Sequence, residues 1–318
     1  MTVVEQIEQA SEPLISYEVI PPKRGAKIAD VLGVIEELAP FDPPFIDVTS
    51  HAAQIYYEER GDGTIKRHVR RKRPGTLGLC AAIKSRFGIE AVPHLLCTGF
   101  TREETEDALI ELNFLGIRNV MALRGDETPA DQRAKPDRTR NTCAADLVGQ
   151  IAAMNRGDYL EDMLDADPTD FCVGVAGYPE KHFAAPNPSW CVSSLKEKVD
   201  AGAHYVVTQM FFDTRHYVDY VARCRDAGIT VPIIPGLKIL TNKRQLTSLP
   251  KAFHVNLPEE LVDRIESAPD DQVAEVGVEW AIKQSRELLE ADAPGLHFYI
   301  MQRADRVKRV VEAVRTMT

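Results

Sequence analysis

Eight short apolar runs, each followed by a stretch with a one-sided helical stripe, constrain the fold of this chain more tightly than any other feature. The runs are ISYEVI (15–20), FIDVTS (45–50), AVPHLLC (91–97), NVMALR (119–124), FCVGVAGY (171–178), YVVTQMFF (205–212), VPIIPGL (231–237) and LHFYIM (296–301). Several are nearly continuous in apolar residues, as strands buried on both faces are. Between them Ile28, Val31, Leu32 and Ile35 repeat at helical spacing. So do Val192, Leu195 and Val199, and likewise Val307, Val310, Val311 and Val314. Ala108, Leu112 and Leu115 are expected to form the same stripe before Gly116. Strand–helix alternation predicts a parallel sheet. Eight such units within 318 residues predict an α/β fold, a (β/α)8 TIM barrel forming a single catalytic domain over 1–318. A doubly wound open sheet is the competitor, but PPKRG follows the first strand where that fold carries G-x-G-x-x-G.

The length beyond a bare barrel falls into three insertions. Residues 51–75 contain a turn signal at GDG, residues 127–143 are polar and contain proline, and residues 254–291 add a helical segment. Asp and Glu outnumber Lys and Arg by 48 to 38, for a net charge of −10, which argues against nucleic acid as a partner. The run KRHVRRKR (66–73) holds six Lys or Arg in eight positions. It reads as a solvated or subunit-facing surface, with a phosphate grip as the alternative.

No run approaches ~18 uncharged apolar residues, so no membrane span is expected. MTVVEQIEQASEP lacks the basic start of a secretory signal. Cysteines at 80, 97, 143, 172, 191 and 224 include no C-x-x-C pair, which disfavours a zinc ribbon or a disulfide scaffold. A reduced, cytoplasmic protein without a metal site is expected. H-E-x-x-H, G-x-S-x-G and Walker motifs are missing from the sequence, removing the metalloprotease, esterase and P-loop readings.

Barrel active sites form at the C-terminal ends of the strands. That rule selects Glu18 with Pro21, Pro22 and Lys23, then Thr49, His94, Arg124-Gly125-Asp126, Tyr178-Pro179-Glu180, Gln209 and Pro235-Gly236. Glu18 lies inside an apolar run, where a carboxyl is either a general acid with a raised pKa or half of a buried ion pair. His94 is a core histidine or a site residue. Arg124-Gly125-Asp126 combines a cation, a permissive backbone and an anion, or simply starts a helix with Asp126 as its cap.

In order along the chain, SYEVIPPK, DVTS, PHLLC, LGIRNVMALRGD, VAGYPEKH, LKEKVDAGAHYVVTQMFFD, AGITVPIIPGLKIL and GLHFYIMQRA resemble the flavin-dependent methylenetetrahydrofolate reductases, over roughly residues 14–304. The resemblance implies a barrel that binds FAD without a Rossmann domain. It implies reduction of 5,10-methylenetetrahydrofolate to 5-methyltetrahydrofolate by NAD(P)H, by ping-pong hydride transfer through the flavin, in one-carbon and methionine metabolism. A homo-oligomer is also expected.

By motif, Glu18 is the implied acid for opening the folate ring. Asp126 is the implied group beside the flavin that stabilises the cationic intermediate, and Gln209 the pterin or nicotinamide contact. Thr49, His94, Arg124, Gly125, Asp126, Ala176, Tyr178, His182 and Lys198 are the implied FAD contacts. Three positions depart from the family pattern. Cys143 replaces an aromatic near the cofactor, Cys191 an acidic residue, and Leu249 a Phe that stacks on substrate in some members. Mammalian-type members add a C-terminal adenosylmethionine-binding domain, and such regulation is not expected here. A flavin-free pterin-binding methyltransferase and an accessory FAD barrel of an electron-transfer complex are the competing readings.

Overall fold

The computed structural model describes residues 1–51, 54–70, 75–125, 139–301 and 303–316. Helix α1 (Val3–Gln9) leads into β1 (Leu14–Val19), α2 (Ile28–Leu38) and β2 (Phe45–Val48). A hairpin of β3 (Gln54–Glu59) and β4 (Ile65–Arg70) precedes α3 (Thr76–Phe87) and β5 (Glu90–Leu96). Next come α4 (Arg102–Phe114), β6 (Asn119–Leu123), α5 (Ala144–Met154), β7 (Cys172–Gly177) and α6 (Pro188–Asp200). Then follow β8 (Tyr205–Thr208), α7 (Thr214–Asp226), β9 (Ile233–Ile234) and β10 (Gly236–Leu237). The chain continues through α8 (Gln245–Phe253), α9 (Glu259–Ser267), α10 (Val273–Glu290), β11 (Gly295–Met301) and α11 (Asp305–Arg315).

Nine strands form one parallel sheet in the order β10-β11-β1-β2-β5-β6-β7-β8-β9, a nearly closed barrel with helices between its strands. The expected TIM-type barrel is therefore present, with one change. The seventh run divides at Pro235, which has no N–H to give to a ladder. Its first piece, β9, pairs with β8, and its second, β10, pairs with β11. Across this seam the Pro235 carbonyl accepts from His297 N at 3.0 Å. Gly236 follows because a Cβ there would stand 2.2 Å from the Thr208 carbonyl oxygen.

The main core lies between sheet and helices, where Val307, Val310, Val311 and Val314 are all buried, as their spacing predicts. Full burial of each such side chain stabilises by roughly 1.5–3 kcal/mol. The stripe expected on α4 is displaced. Its buried face is Thr105, Leu109 and Leu112, and the helix ends before Leu115, which is largely exposed.

A second cluster fills the lumen with Phe45, Val92, Met121, Cys172, Tyr205, Val207 and Ile234, and Val3 of α1 joins it. A capping box of Thr2 and Glu5 fixes the start of α1, and Val3 N donates to Asn119 Oδ1 at 2.8 Å. Asn119 and Cys172 begin their strands, so α1 stoppers the N-terminal end of the barrel. The C-terminal end is left for chemistry.

The hairpin lies outside the barrel ladders and pairs Tyr57 with Arg67 and Glu58 with Lys66. Its turn is held by Asp62 Oδ1, which accepts from Thr64 N at 2.9 Å. Lys66 and Arg67 of the basic run are exposed; residues 71–73 lie outside the described residues, as does the 127–138 stretch. Among the described residues no helix is long and apolar enough to cross a membrane.

Candidate active site

Parallel register brings the lumen-facing residues of neighbouring strands level with one another. Tyr17 and Val19 of β1 pack outward into the main core, so Ser16 and Glu18 face the lumen. Glu18 pairs in register with Asp47 of β2 and with Tyr299 of β11. Immediately after Glu18 the β1–β11 register slips, and Met301 takes a left-handed φ of 62°. A bulge with a strained residue beside a buried carboxyl re-aims side chains where a site needs them.

Glu18 forms the floor of a cavity of about 450 Å3 together with Asp47, Thr49, His94, Gln209 and Lys238. His94 Nε2 lies 3.3 Å from Asp47 Oδ2 and 3.6 Å from Glu18 Oε2. His297 is fully buried, its Nδ1 2.8 Å from Ser16 Oγ and its Nε2 4.0 Å from Asp47 Oδ2. Lys238 Nζ donates to the Tyr299 carbonyl at 2.6 Å.

Electrostatics follow from this crowding. Burial pushes Glu18 up to about 7; the nearby His94 and Lys238 pull it down and Asp47 pushes it further up. Burial alone would depress His94, but the Asp47 hydrogen bond and the charges of Glu18 and Asp47 outweigh it and hold its pKa above the ordinary value. His297 is driven down to about 4 by burial, against the pull of Asp47. Lys238 falls to about 8 through burial, offset in part by Glu18. At neutral pH the floor thus holds a carboxyl poised between its protonated and ionised forms.

A second cavity of about 440 Å3 shares Leu123, Gly125, Ala176 and Tyr178 with the first. Its far wall carries His182, Phe183, Trp190 and Lys198. The Tyr178 and His182 rings meet edge-on at 4.7 Å. Lys198 lies on the buried face of α6 and donates to the Ala176 carbonyl at 2.6 Å; among the described residues no carboxylate pairs with it. Burial lowers its pKa to about 8, opposed by Cys191, Cys143 and Glu197. Burial also lowers His182, with Arg124 and Lys198 adding repulsion. Gly125, at φ +79°, lets the backbone pass close to Thr98.

Of the residues selected from sequence, Glu18, Thr49, His94, Gly125, Ala176, Tyr178 and Gln209 line the first cavity. Arg124, His182 and Lys198 line the second, with Gly125, Ala176 and Tyr178 shared. Asp126 lies outside the described residues. The three departures also border the cavities: Leu249 the first, Cys143 and Cys191 the second. Sequence reasoning missed Asp47, Lys238, His297 and Tyr299. Asp47 and His297 carried the same signal as Glu18, a polar side chain inside an apolar strand.

A parallel barrel with a buried carboxyl at the floor of its C-terminal mouth has the layout of a (β/α)8 enzyme site. Comparison with known proteins gives the particular family. A family model described as methylenetetrahydrofolate reductase matches residues 3–315, and the chain belongs to that family. The 5,10-methylenetetrahydrofolate reductase of Salmonella typhimurium is 31% identical over 293 residues, covering 92% of this chain and 87% of that one. Methylenetetrahydrofolate reductase 1 of Schizosaccharomyces pombe is also 31% identical, over 93% of this chain. The chain spans 45% of the length of that yeast relative, and 43% of a probable NADPH-type reductase of Caenorhabditis elegans that is 27% identical. Among solved structures, an uncharacterized Clostridium thermocellum protein that binds two copies of 5-methyl-5,6,7,8-tetrahydrofolic acid superposes with a TM-score of 0.58. It covers 98% of each chain at 13% identity, a likeness of fold.

Proposed function

We propose that this chain reduces 5,10-methylenetetrahydrofolate to 5-methyltetrahydrofolate, with Glu18 as the general acid. The observation that carries the reading is a carboxyl held near pKa 7 at the floor of a cavity large enough for a pterin. Opening the five-membered ring of the substrate requires a proton on a ring nitrogen. The resulting iminium accepts a hydride at its carbon. Glu18 supplies the proton and must recover one from solvent before the next turnover. Gln209, which lines the same cavity, offers its side-chain amide to the pterin edge. Its Oε1 already accepts from Met210 N at 2.9 Å, which fixes the orientation of the amide. In one-carbon metabolism the product would feed methionine synthesis.

The second cavity fits a dinucleotide. A buried ammonium that has no carboxylate among the described residues is costly, and a diphosphate would complete it. Lys198 and Arg124 would meet that charge, beside Gly125, Ala176, Tyr178 and His182, with Thr49 and His94 in the adjoining first cavity. Bound there, FAD would supply the hydride after reduction by NAD(P)H.

A second reading, direct transfer from NAD(P)H without flavin, draws support from Cys143 and Cys191. They stand in the wall where the family's aromatic and acidic FAD contacts belong, and the diphosphate cradle serves either dinucleotide. Supplying methylenetetrahydrofolate with NADH or NADPH should yield 5-methyltetrahydrofolate. No product with either donor or with reduced ferredoxin would refute the proposed activity. Absorbance of the purified protein in the flavin bands separates the two hydride sources.

A further inference from the structure

Beneath Glu18 lies a buried pair that the acid step leaves without a task. Asp47 is 1% exposed and His94 8%. A single imidazole nitrogen, His94 Nε2, stands between two carboxyl groups, 3.3 Å from Asp47 Oδ2 and 3.6 Å from Glu18 Oε2. One N–H can point at only one of them. Directed at Asp47 it leaves Glu18 free to keep its own proton; directed at Glu18 it stabilises the carboxylate and releases that proton too early.

We infer that Asp47 is a positioning residue that holds the His94 Nε2–H away from Glu18, so that Glu18 retains the proton it delivers to the folate ring. The inference rests on the acid role proposed for Glu18.

The surrounding charges agree in sign. Glu18 is faced by His94 from β5, Asp47 from β2, Lys238 after β10 and Tyr299 from β11. Asp47 is faced in addition by His297 of β11, Cys80 of α3 and Tyr205 of β8. His94 and Lys238 favour ionised Glu18, and Asp47 alone among the charged neighbours opposes it. Removing Asp47 therefore deletes the opposition and frees the His94 N–H at once. Asp47 also matters more than its charge suggests, because it is the acceptor that decides the direction of that bond.

The test is the pH profile of folate reduction by the full chain for Asp47→Leu, which removes both charge and acceptor, and for Asp47→Asn, which keeps an acceptor. The alkaline limb should move to lower pH by about one unit in Asp47→Leu, a roughly tenfold loss above neutrality that falls on kcat and not on the folate KM. Asp47→Asn should move it less. A 13C titration of the glutamate carboxyls, compared with Glu18→Gln to assign the signal, should show Glu18 ionising at lower pH in both variants without any turnover. A limb and a Glu18 titration both at the wild-type pH, with activity reduced evenly across pH, would make Asp47 structural and overturn the inference. If Asp47→Leu does not fold, the Asn variant decides by the same criterion. Undiminished turnover in Glu18→Gln would instead sink the acid reading itself.

Discussion

The two cavities at the barrel mouth share walls but are built from different material. The first takes Glu18, Asp47, His94 and Tyr299 from four strands locked in one ladder. The second takes His182, Phe183 and Trp190 from the β7–α6 connection and the first turn of α6, plus Lys198 from its last turn. Phe183 and Trp190 are half-exposed or more, while His94 and His297 are buried. Strand-borne groups are held at fixed distances in the buried lumen, and that burial is the main cause of the raised Glu18 pKa. Residues on loops and helix ends present flat faces and two cations, Arg124 and Lys198, which suits the proposed dinucleotide. The proposed chemistry and the proposed binding thus rest on elements of different rigidity.

Substitutions should break along the same line. Glu18→Gln preserves shape and removes the acid, so folate turnover should fall by about 10²–10⁴-fold while folate and dinucleotide affinities stay near native. Equilibrium binding beside steady-state kinetics checks this, and an equal loss of binding and turnover would erase the distinction. Lys198→Ala should do the reverse, weakening the dinucleotide by roughly 1–3 kcal/mol in a calorimetric titration with kcat at saturation little changed.

A smaller effect concerns stability. The raised Glu18 pKa means that its favourable contribution is complete below pH 4.5, its unfolded value, and is lost as pH rises through about 7. Glu18→Gln should therefore melt higher than wild type at pH 8 and about equally at pH 4, as seen by calorimetry. Least of all should happen at the hairpin. Replacing Lys66 and Arg67 by Ala is expected to leave turnover unchanged, and duplex DNA at physiological salt should not be retained by either protein.

Much of this architecture is legible from spacing. The β/α alternation is explicit, and Glu18 announces itself as a carboxylate among apolar residues. Asp47 in FIDVTS and His297 in LHFYIM carry the same mark, yet reading strands for their apolar core hides the polar residues of the lumen. Lys238 sits just past a strand end in GLKIL, where a charge between apolar neighbours is the only sign of its burial. The division at Pro235 follows from a missing N–H but needs β8 and β11 in place to show which piece pairs where. Helix α1 is not anticipated from the sequence, although the Thr2–Glu5 capping box that starts it is present there as Thr followed three residues later by Glu. The α4 stripe misleads because Thr105 packs inward beside Leu109, shifting the buried face away from Leu115. Lys198 falls at helical spacing from Cys191 and Leu195, so spacing alone reads it as a helix residue; the family resemblance singles it out, and the structure adds that among the described residues no carboxylate pairs with it.

The central claim is that Glu18 keeps a proton at neutral pH because of where the strands bury it. Carbon-detected titration of the Glu18 carboxyl in the full chain, assigned by loss of the signal in Glu18→Gln, measures this without substrate. The structure predicts a midpoint near 7. A midpoint near the ordinary glutamate value of about 4.3 would leave a carboxylate where the reaction needs an acid, and would contradict the account.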